Sequence, residues 1–376
     1  MTMRVLIYHP RFVGYGGAEL VMCKVARALY ARGYDVAVAT HELDQTKYRM
    51  RTARIILPLS KPNILNNLVC SLSLSKLANQ FDVLIMSNPY AVLDFFVSIR
   101  TKTPIVWWCH EPRRKLFWKE MGDPKPRDPV SWHLKRPLFK FLTKIFALRC
   151  RTLIVHSNYM KNIVRSALRV RGLRVVPFGV DLKDYPYTRL LKNKRLVYVG
   201  RVADVKNVYR LIEAFALVED KQARLVIIGQ GTTGDNISMM RLVERLGLQE
   251  KVVWRKSVED LIAEYVKSEM VVYPCINEPF GIVPIEAMAT ARPVIVARVG
   301  GPAETVVDGE TGLLVDPYNK KEIANAITQI LSKEDSFKMG MNGRKRVEDH
   351  YTFDRFLSGI ENVLKEIVQK NNSTKL

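Results

Sequence analysis

Glu278 and Glu286 stand eight positions apart around Pro279-Phe280-Gly281-Ile282-Val283-Pro284-Ile285. Carboxylates accept paired hydrogen bonds from vicinal hydroxyls, so two of them on one short segment suit a polyhydroxylated ligand. The Pro/Gly-rich start places Glu278 in a loop and Glu286 in the first turn of the helix that follows, with the amides of Phe280, Gly281 and Ile282 between them. Glu286 alone would also suit a helix N-terminus on electrostatic grounds. A second pair, Arg201 and Lys206, follows another apolar run. A planar guanidinium and a mobile ammonium together suit a diphosphate, and they answer negative charge that grows as a group departs. The third feature is the run Gly14-Tyr15-Gly16-Gly17-Ala18-Glu19. Gly16 and Gly17 let the backbone approach a ligand, and the helix start beyond them offers free amides to an anion. The run lacks the full dinucleotide fingerprint and describes a plain tight turn equally well. Finally, His110 sits just past the apolar run Ile105–Trp108.

These residues share a position in the chain's plan. Val5–Tyr8, Val36–Thr40, Val83–Ser87, Ile105–Trp108 and Leu153–His156 read as short buried strands separated by segments long enough for helices. A second series runs through Arg195–Gly200, Leu225–Gly229, Val252–Arg255, Met270–Tyr273 and Val294–Ala297. Two repeats of one plan predict an α/β protein with two doubly wound parallel sheets, and ligands of such sheets bind beyond the carboxyl ends of the strands. Each candidate residue falls just past a strand. The boundaries read from the sequence are 1–184 and 185–350, with Tyr185–Leu191 as linker; a last segment, 351–376, starts a fresh helix capped by Thr352 and packs back toward the first domain.

The 376 residues exceed what one hydrophobic core usually serves. The charge is uneven: residues 1–188 hold 31 basic and 12 acidic side chains, whereas 189–376 hold 28 and 25. A basic first half implies an anionic partner or surface. Within it, Leu134, Leu138, Phe141, Ile145 and Leu148 recur at helical spacing beside Lys135, Arg136, Lys140 and Lys144. That pattern describes either a core helix with a solvated charged side or a helix that lies on an anionic membrane, with Phe117, Trp118 and Trp132 as neighbouring surface aromatics and Trp107 and Trp108 expected in the core. The five cysteines are scattered without metal-ligand spacing and read as buried thiols. No apolar run suits a signal peptide or a membrane span, which predicts a cytoplasmic protein.

The motifs taken together resemble the retaining GT-B glycosyltransferases of family four. The resemblance rests on the two-glutamate segment, on Glu286-Ala287-Met288-Ala289 with Arg292-Pro293-Val294-Ile295-Val296, and on Gly300-Gly301-Pro302-Ala303-Glu304 with Gly309-Glu310-Thr311-Gly312-Leu313. Gly16-Gly17-Ala18-Glu19, Arg201 and Lys206 extend it over nearly the whole chain. It departs at Thr290-Ala291 and at Gly229-Gln230-Gly231, where many members carry a glycine after the helix and Gly-Asp-Gly. The resemblance implies the GT-B fold, two Rossmann-like domains facing across a cleft. It also implies that Arg201 and Lys206 bind a donor diphosphate, Glu286 a ribose and Glu278 the transferred sugar. Phe280, Gly281 and Ile282 would add backbone contacts, His110 would reach the sugar near the reacting carbon, and Gly16 and Gly17 would close the cleft.

The expected reaction is metal-independent sugar transfer with retention. It needs no cofactor beyond a nucleotide-sugar co-substrate. Trp107-Trp108-Cys109-His110-Glu111-Pro112-Arg113-Arg114 resembles mannosyltransferases of lipid-linked oligosaccharide assembly, which favours GDP-mannose as donor and a glycan or polyprenyl-linked acceptor at an anionic membrane surface. A UDP-sugar donor, an epimerase or hydrolase on the same fold, and a basic nucleic-acid-binding protein are the competing readings; the last lacks a recognisable binding module.

Overall fold

The computed structural model describes residues 2–13, 17–44, 46–48, 54–56, 64–87, 90–122, 130–189, 192–332 and 336–373. Gly16 lies outside them. The chain forms two compact units, Met1–Val176 with Leu357–Leu376, and Pro177–Phe356. The first boundary therefore falls before the Asp184–Tyr185 position read from the sequence. Tyr185 is no loose linker residue either: it is buried in the second unit, just after a short 3-10 turn over Leu182–Asp184.

The first unit runs β1 (Arg4–Tyr8), β2 (Arg11–Phe12), α1 (Gly17–Ala31), β3 (Asp35–Ala39), β4 (Glu42–Leu43), β5 (Arg54–Ile56), α2 (Ile64–Ala78), β6 (Val83–Ser87), α3 (Ala91–Arg100), β7 (Ile105–Trp108), α4 (Arg114–Phe117), α5 (Val130–Arg149), β8 (Thr152–Val155), α6 (Asn158–Leu168) and β9 (Leu173–Val175). Its main sheet is parallel, in the order β5-β3-β1-β6-β7-β8-β9. Strands covered by helices on both faces must be apolar throughout, and Val83–Ser87 is buried at every position.

The second unit runs β10 (Arg195–Val199), α7 (Val208–Phe215), β11 (Arg224–Ile228), α8 (Thr233–Arg245), β12 (Val252–Arg255), α9 (Leu261–Val266), β13 (Met270–Tyr273), α10 (Ile282–Ala289), β14 (Val294–Ala297), α11 (Pro302–Thr305), β15 (Gly312–Val315), α12 (Lys320–Ser332), α13 (Ser336–His350) and the start of α14 (Phe353–Ser373). Its sheet is also parallel, β12-β11-β10-β13-β14-β15. The two sheets share one plan. In each, the chain moves outward from the first strand, returns, and continues on the other side, so a crevice opens at the switch point between β1 and β6, and between β10 and β13. From Leu357 onward α14 belongs to the first unit, held there by Arg32 on Glu361 and by Arg174 on Glu366 at 2.8 Å. The Thr352 hydroxyl accepts from the Arg355 amide at the helix start.

The basic helix α5 resolves an ambiguity of the sequence. Thr143, Phe146 and Ala147 form its buried side. The leucine stripe faces the other way: Leu134, Leu138, Phe141 and Leu148 are 78%, 55%, 59% and 63% exposed. Helices α2, α3 and α5 pack on one face of the first sheet, and α2 adds exposed Leu68, Val69 and Leu72 on the side away from the core. Phe117, counted among surface aromatics, is fully buried with Trp107 and Trp108. The five cysteines are buried free thiols. Among the described residues no helix is long and apolar enough to cross a membrane.

Candidate functional site

In the second unit the loops after β10 and β13 meet at the switch point. Asn207, in the left-handed region at φ 59°, donates its amide to the carbonyls of Pro274 at 3.0 Å and Pro317 at 2.7 Å. The Ile276 amide reaches the Val205 carbonyl at 3.1 Å. These bonds bring Lys206 onto Glu278: the ammonium donates to the carboxylate and lies 3.5 Å from the Tyr273 hydroxyl. Burial alone would lower the Lys206 pKa, but the Glu278 charge, the Cys275 sulfur and the hydrogen bond to Glu278 together outweigh it and hold the ammonium above its usual range. Arg201 is exposed beside this pair, and its guanidinium has no ion-pair partner among the described residues.

The glutamate segment is shaped by backbone contacts that only glycine permits. Gly281 caps α10 at φ 84°, and the Gly301 amide donates to the Glu278 carbonyl at 2.8 Å. A Cβ on Gly301 would lie 2.4 Å from both Phe280 Cα and the Pro279 carbonyl. The left-handed cap starts the helix at Ile282, so Glu286 falls in its second turn, not the first. The first amides of α10 have no carbonyl one turn behind them, and Pro284 has no amide at all. The Phe280 side chain is buried against Phe178 and Tyr351, which leaves its backbone to line the loop. Ala291 adopts φ 58° after α10 at a cost of about 1–2 kcal/mol.

Glu286 has partners the sequence did not announce. The hydroxyl of Tyr185 donates to one carboxylate oxygen at 3.0 Å and that of Tyr265 to the other at 2.8 Å. Burial and the neighbouring carboxylate push both phenols up, so both stay neutral donors. A separate groove of 580 Å³ between α8 and β12, lined by Ile237, Met240, Trp254 and Lys256, contains none of the candidate residues.

In the first unit Gly17 opens α1, and His110 follows β7. The His110 ring stacks on Trp108 at 5.7 Å and lies 5.5 Å from His156. His156 is locked neutral: its Nε2 accepts from the Trp108 indole at 2.6 Å, and its Nδ1 donates to the Val176 carbonyl at 2.8 Å. Burial pushes its pKa down to about 3. Burial, then the His156 and His9 rings, also hold His110 well below the ordinary imidazole range. The imidazole therefore works as a neutral hydrogen-bonding group near pH 7. His110 Nε2 lies 3.2 Å from the Ser87 hydroxyl, a residue the sequence reading passed over.

Comparison with known proteins adds an independent line. Residues 15–184 match Glycosyltransferase Family 4, and residues 186–346 match Glycosyl transferases group 1. The capsular polysaccharide biosynthesis glycosyltransferase CapM of Staphylococcus aureus is 33% identical over 206 residues, which is 53% of this chain and about half, 54%, of that protein's length. The alpha-1,3/1,6-mannosyltransferase ALG2 of Kluyveromyces lactis is 24% identical over 99% of this chain and 86% of its own. Among solved structures, Anabaena Alr3699/HepE in complex with UDP and glucose superimposes with a TM-score of 0.81 at 19% identity, over 97% of this chain and 100% of that one.

Proposed function

Because the chain belongs to the glycosyltransferases, with the two Rossmann-like domains of the GT-B fold, we propose that it transfers mannose from GDP-mannose, with retention, to a glycan or polyprenyl-linked acceptor. The observation that carries this reading is the second switch point, where Lys206 and Glu278 pair beside exposed Arg201. An arriving diphosphate gives both cations an anionic partner and leaves Glu278 to accept sugar hydroxyls. Glu286, aimed by two phenols, keeps lone pairs for a ribose diol. Phe280, Gly281 and Ile282 supply amides, and His110 a neutral contact to the donor sugar.

The acceptor hydroxyl attacks the anomeric carbon from the face the nucleotide leaves. The carbon–oxygen bond to the diphosphate breaks with its electron pair, and a phosphate oxygen takes the acceptor's proton. Arg201, Lys206 and the α10 amides answer the growing charge, which supports transfer without a divalent ion; undiminished activity in EDTA checks this. A trapped glycosyl adduct on Glu278 would overturn the single-face attack.

The donor is tested by thermal shift across a panel of nucleotide sugars. A rise with GDP-mannose that Lys206→Ala and Glu286→Ala both abolish supports the reading. A rise with UDP-sugars alone retains the transferase and replaces the donor, an outcome that the UDP complex of HepE makes worth testing. Product formation without acceptor would instead indicate an epimerase or hydrolase.

The exposed leucine stripe of α5, with Lys135 and Arg149 beside it, supports docking of the first unit on an anionic membrane. Flotation with anionic vesicles at low salt checks it: Leu134→Ser with Phe141→Ser should release the protein, and a wild-type chain that stays unbound sinks the idea.

A further inference from the structure

Two strand ends in the first unit carry polar groups that the proposed reaction does not yet use. His9 follows β1 and Ser87 ends β6, so they flank the switch point of the first sheet as Lys206 and Glu278 flank that of the second. The Ser87 hydroxyl lies 3.2 Å from His9 Nδ1 and 3.2 Å from His110 Nε2. On the far side of His9, Nε2 faces the Glu19 carboxylate at 3.7 Å. His9 and Ser87 are 2% and 0% exposed, so no bulk water competes for these contacts.

A hydroxyl carries one hydrogen, so Ser87 donates to one ring and accepts from the other. Which ring is which follows from Glu19. Burial works against its charge, yet the interaction with His9 and a bond to its own backbone hold the carboxyl below its usual range, so it is an anion at neutral pH. With one hydrogen on the His9 ring, an anion facing Nε2 draws that hydrogen to Nε2 and leaves Nδ1 as an acceptor. Ser87 then donates to His9, and its oxygen must receive a hydrogen from His110.

We propose that Ser87 and His9 are positioning residues for His110: the chain Glu19–His9–Ser87 obliges His110 to hold its hydrogen on Nε2 and its lone pair on Nδ1. The ring is held by Ser87 at one edge and packs against Trp108, stacked at 5.7 Å, and His156, tilted at 5.5 Å. The lone pair suits acceptance from a hydroxyl of a bound sugar, a consequence that rests on the reading of His110 as a donor-sugar residue.

Nitrogen–proton correlation spectra of the six histidine rings in the intact chain test this directly, with His110→Gln assigning the His110 signals. Wild type should show His110 as a single Nε2–H tautomer. Ser87→Ala should convert it to a mixture, Ser87→Thr should restore it, and Glu19→Gln should loosen it. In transfer assays Ser87→Ala should lower kcat by roughly tenfold to a hundredfold with donor KM little changed, and Thr should rescue it. An Nδ1–H tautomer in wild type, or one indifferent to Ser87→Ala, overturns the relay. An intact relay with wild-type transfer by His110→Gln would retain the hydrogen-bond chain and overturn the site reading beneath its catalytic meaning.

Discussion

The two halves of this chain build the same crevice and fill it with opposite chemistry. Both sheets reverse direction beside their first strand, between β1 and β6 and between β10 and β13. At the first switch point stand His9 and Ser87, joined to His110, whose neighbour His156 is locked neutral. At the second stands the ion pair of Lys206 and Glu278, with Arg201 exposed beside it. Topology therefore decides where a ligand can sit, and the residues past each strand decide whether it meets fixed charge or neutral hydrogen bonds. Under the proposed reading this is a division of labour: standing cations answer a diphosphate, and an oriented neutral ring meets a sugar.

The contrast breaks most readily on the charged side. Lys206→Ala removes a preorganised cation and should cut kcat by about 10²- to 10³-fold, near 3–4 kcal/mol of transition-state stabilisation. It also leaves Glu278 partly buried without its partner, so the melting point should fall. Arg201→Ala separates the two effects. Its guanidinium has no ion-pair partner among the described residues, so donor binding and transfer should drop while the melting point holds. Wild-type transfer by both variants would show that the charge at the second switch point is structural.

The neutral side is read by acid. The native His156 ring takes up a proton only near pH 3, whereas in the unfolded chain it does so near 6.5. Unfolding therefore binds a proton between those values, and stability falls as pH falls through that window. Between pH 7 and pH 5 the loss should be about 2 kcal/mol, and His110, shifted the same way, adds to it. Gln at position 156 offers an acceptor to Trp108 and a donor to the Val176 carbonyl without titrating. Urea denaturation at the two pH values should thus show a shallower acid loss in His156→Gln. An unchanged slope would mean that His156 titrates normally and that the first crevice is not held neutral.

Much of this was legible in the sequence for identifiable reasons. Val83–Ser87, Ile105–Trp108 and Met270–Tyr273 were read to the residue because strands covered on both faces are unbroken apolar runs. Glu278, Glu286, Arg201 and Lys206 carry chemistry in their residue types and follow strands. Ser87 and His9 were not legible, because their meaning lies in a contact across 78 positions. The phenols on Glu286 come from 101 and 21 positions away, and Tyr265 reads as an ordinary core aromatic. The leucine stripe of α5 was visible as a period, but its direction was not. Phe146, Ala147 and Thr143 took the sheet-facing side, and a helix with two apolar faces does not declare which one is buried. The start of α10 was misplaced because the left-handed cap at Gly281 delays the helix.

The smallest expected effect asks whether the charged crevice also depends on neutral donors. Tyr265 is fully buried, and its hydroxyl holds one oxygen of Glu286 while Tyr185 holds the other. A carboxylate has roughly four lone-pair sites, so the two phenols do not by themselves saturate it. Tyr265→Phe therefore removes aim without removing capacity. A hydrogen bond to a charged group contributes about 1.5–3 kcal/mol, and part of that is recovered through the bond from Tyr185, so stability should fall by about 1 kcal/mol. Donor KM should rise about three- to fivefold with kcat retained, since uniform binding is what a ribose contact supplies. A fall in kcat at constant KM would instead couple Glu286 to the transition state, and the second crevice would then rest on its phenols as the first rests on its serine.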